Sequence, residues 1–90
     1  MSLRVGSGTP ELVAEHLPAP AGGKIYEVWV ARSGRPPLAT SALFDVNSSG
    51  RAAVAVPASL KNASAVLVTA EPLGGTTHPT TPAVIVARLR

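Results

Sequence analysis

The sequence predicts an all-β fold, a small antiparallel β-sandwich of six to seven strands, Ig-like in architecture but without a disulfide. Three observations carry that expectation. Short valine-rich runs recur along the chain, each separated from the next by Pro, Gly, Ser or Asn; this is the pattern of strands punctuated by turns. The chain has 90 residues, among them 9 prolines and 8 glycines, which suits one small domain with many tight connections. It has no cysteine, so the bridge that pins many Ig domains is excluded.

Residues 1–10, with Gly6, Ser7, Gly8 and Thr9, read as a flexible or artificially added lead-in, and residues 11–90 as a single β-sandwich domain. The start of that domain has two readings. Thr9-Pro10-Glu11 is an acceptable helix start, after which Leu12, Val13, His16 and Leu17 share a helical face. The same residues alternate as a strand, and the β signals that follow favour the strand.

Lys24 to Ala31 is the clearest strand. Tyr26, Val28 and Val30 share one face, and Ile25, Glu27, Trp29 and Ala31 the other. Large apolar groups on both faces point to a central position. Residues 32–37 form a loop, because Gly34 and Pro36-Pro37 forbid regular pairing. Residues 42–46 make a second strand with Ala42, Phe44 and Val46 on one face. Asn47-Ser48-Ser49-Gly50 reads as a hairpin turn, with Gly50 free to take positive φ and Asn47 able to cap. Residues 51–56 return from it, and Pro57 ends the run. Residues 57–62 are a connection with room for one helical turn. Residues 64–70 form the next strand, closed by Glu71-Pro72. Residues 73–82 are an irregular loop, and residues 83–89 a last strand with Val84 and Val86 opposite Ile85.

Composition narrows the function. Hydrophobic residues make up 46% of the chain, too many for disorder, yet aromatics are only 3%. A core of Val, Leu and Ala is thin, so Tyr26, Trp29 and Phe44 carry unusual weight. The longest apolar runs, residues 52–56 and 83–87, fall far short of the roughly 18 residues that span a bilayer. Met1-Ser2-Leu3-Arg4 is followed by Gly, Ser, Thr and Pro rather than by an apolar signal core. The net charge of +3 comes from few acids and scattered bases. Without clustering or interleaved aromatics it predicts no nucleic-acid partner.

Chemistry-bearing patterns are weak. Asp45-Val46-Asn47-Ser48-Ser49-Gly50 begins like a calcium loop, but the twelfth position, where a bidentate acid belongs, is Val56. His16 and His78 stand in no metal or catalytic motif. No G-x-S-x-G elbow occurs, and Glu11, Glu15, Glu27, Asp45 and Glu71 recur at no diagnostic spacing. No catalytic residue, cofactor or metal is expected.

Three blocks together are more specific: residues 17–30 with Leu17-Pro18-Ala19-Pro20 and Tyr26-Glu27-Val28-Trp29, residues 42–52 with Phe44 and Gly50, and residues 68–80. The last reads Thr69-Ala70-Glu71-Pro72-Leu73-Gly74-Gly75, then Pro79-Thr80. In order and spacing they resemble the extracytoplasmic C-terminal domain of the anti-sigma-K factor (RskA-like) family of bacteria. The resemblance extends from about Leu12 to Leu89. It rests on Pro18, Tyr26, Trp29, Phe44, Gly50, Thr69, Glu71, Pro72, Gly74, Gly75, Pro79 and Thr80. It implies a non-catalytic sensor domain on the outer side of a membrane-anchored anti-sigma factor. The full-length parent then holds a sigma factor through a cytoplasmic domain and crosses the membrane by one helix, both lying outside this chain. Regulated proteolysis releases the sigma factor, with a protease or envelope protein as partner and the domain itself a monomer or weak homodimer.

The motif residues are expected to act as structure. Tyr26 and Trp29 fill opposite layers. Glu71 accepts hydrogen bonds from the Gly74-Gly75 backbone, and Pro79 and Thr80 fix the loop behind it. Two other readings stand beside this one. A secreted adhesive or carbohydrate-binding sandwich needs exposed aromatics. A small enzyme needs Glu71, His78 and Asp45 in one cleft.

Overall fold

Strand-forming residues at Lys24–Ala31, apolar on both faces, sit where such a strand must, with neighbours on both edges and cover on both sides. A computed structural model describes Ser2–Arg4 and residues 10–89. Among these residues there are seven strands and no helix: β1 (Ser2–Arg4), β2 (Glu11–Ala14), β3 (Lys24–Ala31), β4 (Leu38–Phe44), β5 (Ala52–Ala55), β6 (Ala65–Pro72) and β7 (Ile85–Arg88). They form two antiparallel sheets, ordered β1-β2-β5 and β4-β3-β6-β7.

The core lies between the sheets. Leu12 and Ala14 of β2 and Val56 beyond β5 meet Tyr26, Val28, Val30, Phe44, Val66 and Val68 of the larger sheet. The Tyr26 and Phe44 rings, on paired residues, lie 5.4 Å apart at 33°. Tyr26 also donates its hydroxyl proton to the carbonyl of Pro18 at 2.5 Å. Burial, and then the nearby Asp45 charge, push the phenol pKa up, so the donor keeps its proton. Tyr26→Phe should lose about 1 kcal/mol, read in urea denaturation. A neutral result would mean that this bond is exchanged for water without cost.

Residues 11–14 are strand, the favoured of the two readings, because pairing with β1 and β5 on both edges outweighs a fair helix start. Several other expectations about the elements are corrected. Within the expected lead-in, Ser2–Arg4 pair with β2, Leu3 opposite Leu12; Met1 and residues 5–9 lie outside the described residues. Residues 57–62 hold no helical turn. A tight turn at Asn62 (φ 61°) is closed by Ala63 N–H on Leu60 O, and the Arg32 guanidinium donates to Ser59 O and Lys61 O.

The second strand starts at Leu38, earlier than expected, and carries a bulge. Glu27 pairs with Leu43, but Trp29 pairs with Ala39, so Val28 faces extra residues of β4. The Thr40 hydroxyl donates to Val28 O at 2.8 Å and accepts from Ala42 N–H at 3.2 Å, filling the gap. Ser41 takes φ 70° there.

Asn47–Gly50 is not a hairpin turn within one sheet. The strand that follows joins β2, so the turn is a corner between sheets. Its local chemistry is as expected: Asn47 Oδ1 accepts from Ser49 and Arg51 N–H, and Gly50 has φ 74°. Turn residues specify a bend; they do not specify which sheet the chain enters. A Cβ on Gly50 would lie 2.8 Å from Leu17 O and 2.9 Å from Leu17 N, both backbone atoms. Gly50→Ala should therefore cost about 2 kcal/mol or more in chemical denaturation. Gly34→Ala, at φ 75° in open space, should cost about 1 kcal/mol. Equal costs would show that φ alone matters and that the contact with Leu17 is unimportant.

Candidate functional site

The sheet face turned away from the core carries polar residues in an unusual state of burial. Alternation puts Glu27 and Trp29 of β3 on that face. Register puts Thr69 opposite Glu27, and Glu71 opposite Ile25, on the same face. Residues 73–84 leave β6 and return over this face to β7. Glu71 and Trp29 are fully buried, and Thr69 and Glu27 keep only 1% and 2% of their surface.

One hydrogen-bonded line joins the strands to the loop. Trp29 Nε1–H donates to Thr69 Oγ1 at 2.8 Å, and the Thr69 hydroxyl donates to Glu71 Oε2 at 2.5 Å. Thr80 N–H donates to both Glu71 oxygens, at 3.2 and 3.1 Å, and the Thr80 hydroxyl donates to Oε1. Burial works to raise the Glu71 pKa. The hydrogen bonds from Thr69 and Thr80 outweigh it and hold the carboxyl below its ordinary range. Glu71 is therefore an ionised carboxylate neutralised by donors rather than by a base.

Glu27 clamps the loop at a second point. Its Oε1 accepts from Thr76 N–H at 2.9 Å, while the Thr76 hydroxyl, 3.4 Å away, donates to His78 O at 2.8 Å. Thr81 Oγ1 donates to Ala70 O, adding a third. Beside Glu27 an open groove of about 420 Å³ runs between the β4 bulge and the loop, lined by Ala39, Ser41, Leu43 and residues 74–77.

The motif residues thus divide between two places. Trp29, Thr69, Glu71 and Thr80 form the line above. Pro72, Gly74 and Gly75 make the turn that launches the loop, closed by Gly75 N–H on Pro72 O at 2.9 Å, with φ 93° and 80° at the glycines. Pro79 leads the loop into Thr80. Pro18, Tyr26 and Phe44 lie in or beside the core, and Gly50 at the corner between sheets. Glu71 does not accept from Gly74 and Gly75 as expected. The Gly75 N–H is already taken by Pro72, and the side chain of Glu71 lies on the outer face, where Thr80 returns. The GG turn faces Glu27 instead: a Cβ on Gly75 would lie 3.2 Å from Glu27 Oε1.

Glu27 and Thr76 are what the sequence reading missed. The available signal was a carboxylate in the middle of a strand apolar on both faces, which is seldom buried without a specific set of donors. The groups of an imagined enzyme are not joined. Glu71 is used by Thr69 and Thr80, Asp45 accepts from Val46 N–H, and His78 lies exposed beside the Thr77 hydroxyl. Among the described residues no three His, Cys, Asp or Glu gather as a metal would need, and no helix is long and apolar enough to cross a membrane.

A family model described as anti-sigma-K factor rskA, C-terminal, matches residues 6–84. Comparison with curated proteins and with solved structures finds no match.

Proposed function

Because the chain belongs to the family of anti-sigma-K factor C-terminal domains, we propose that it is the extracytoplasmic sensor domain of a membrane-anchored anti-sigma factor. Membership itself makes it a regulatory domain of an anti-sigma factor. The finer reading is that the domain lies on the outer side of the bacterial membrane, and that a change in it governs proteolytic release of a sigma factor held by another part of the parent. A regulatory protease or envelope protein is its partner, and it works without catalysis as a monomer or weak homodimer.

The observation that best supports this reading is the loop clamped by Glu71 and Glu27. The loop is fastened to the sheet at two points by buried carboxylates, so the domain has a fastened state that a signal can undo. In the parent protein, Glu71→Ala should raise expression from a promoter dependent on the sigma factor and speed loss of the intact anti-sigma factor on immunoblots. Unchanged expression and unchanged cleavage, with the variant domain shown to be destabilised, would overturn the reading. The adhesive or sugar-binding alternative is weakened by burial: Trp29, Tyr26 and Phe44 are exposed by 0%, 3% and 7%, which leaves no aromatic platform for stacking.

A further inference from the structure

We propose that the groove beside Glu27 binds an alkylammonium group, with the ammonium on Glu27 Oε2 and the carbon stem along Leu43 and Ala39. Glu27 is 98% withdrawn from solvent, given its 2% exposure. Thr76 satisfies Oε1 only, whereas a carboxylate has about four acceptor positions. Among the described residues no donor reaches Oε2 and no cation pairs with the group. Among the same residues no fully enclosed side-chain oxygen lacks a partner, so Oε2 keeps some exposure, and Glu27 is one of the residues that line the groove.

A buried carboxylate with one unpaired oxygen beside an open groove is an incomplete site, because desolvation makes an ion-paired donor there worth more than in water. The lining selects the kind of donor. Ala39 and Leu43 offer apolar wall, and the Ser41 and Thr77 hydroxyls sit among the lining residues as further acceptors. A compact ammonium with three donors on an aliphatic stem matches this set. The bulge in β4 is what opens the space: it sets Ser41 at φ 70° and shifts Ala39 against Trp29, the re-aiming that bulges commonly perform beside binding sites.

Such a group comes from a free diamine or from a lysine side chain on a peptide. Amide chemical shifts of the 90-residue chain would be followed by NMR during titration with cadaverine and, separately, with N-acetyl-lysine methylamide. Saturable shifts at Gly75, Thr76 and Ser41 are expected with at least one of them, and the tighter probe identifies the source. Glu27→Gln should weaken binding about 10-fold or more. Ala39→Phe, at an exposed rim position, should block it while the protein stays folded, which keeps the test decisive if Glu27→Gln fails to fold. Tetramethylammonium, lacking N–H donors, should not shift these amides. Absence of saturable shifts with both amines, or shifts that survive Ala39→Phe, would overturn the assignment.

Discussion

Glu71→Ala should lower the stability of the domain by about 3–5 kcal/mol. The change removes the fully buried, ionised acceptor of the Thr69 hydroxyl, the Thr80 N–H and the Thr80 hydroxyl. Hydrogen bonds to a charged group contribute about 1.5–3 kcal/mol each, and the buried Thr69 hydroxyl is left without its acceptor. A domain of this length has only about 5–13 kcal/mol in all, so the midpoint of thermal unfolding should fall by more than about 12 °C. The effect also depends on pH. The folded Glu71 carboxyl titrates below its ordinary value of 4.5, so the stability it contributes is fully present above that value and drains away as pH falls through the folded pKa. Glu71→Ala removes this component, and its stability should change less with acidification over that window. A variant as stable as the wild type would refute a bracing role for Glu71, and if such a variant also lost a partner it would assign this residue to recognition instead.

Trp29→Ala should cost about 3–5 kcal/mol, because the largest fully buried side chain leaves a cavity behind. It also removes the donor to Thr69 Oγ1. Trp29→Phe separates the two losses: it keeps most of the buried area and should cost about half as much. Pairing Trp29→Phe with Thr69→Val in a double-mutant cycle measures the coupling, expected at about 1 kcal/mol. Trp29 is the only tryptophan, so its emission reports this layer alone. The emission of the wild type should shift to the red in the same urea range as the loss of β circular dichroism. An earlier shift would show that the outer layer opens before the core.

Much of this layer was legible from alternation. Tyr26 and Trp29, three apart in a strand, had to face opposite ways, and they do: one meets Phe44 in the core, the other Thr69 under the loop. Strand positions were legible for β3 and for most of β6, through the alternating Val28 and Val30, and Val66 and Val68. But Glu71 and Pro72, expected to close β6, stay paired with Ile25 and Lys24, because a proline at the last position of a strand costs the ladder little. The partners of the acids were not legible. Thr76 lies 49 residues from Glu27, and Thr80 meets Glu71 only because the loop doubles back over the sheet; no local pattern encodes either meeting. The bulge at Thr40 and Ser41 was hidden for another reason. It arises from a mismatch in register between two strands, each of which is regular as a sequence. The corner at Asn47–Gly50 was misassigned because a short turn looks the same whether the next strand pairs with the last one or crosses to the other sheet.

That corner has a kinetic consequence. The chain visits the small sheet, the large sheet, the small sheet and the large sheet again, so neither sheet can be completed from a continuous stretch of chain. β2 waits for β5, and β3 for β6, whose Thr69 lies 40 residues beyond Trp29. Contacts of such separation make folding slow for a protein of this size, in the millisecond-to-second range, and leave no half-built piece with a core of its own. The domain should behave as a binary object, either wholly formed or wholly open, with nothing stable between.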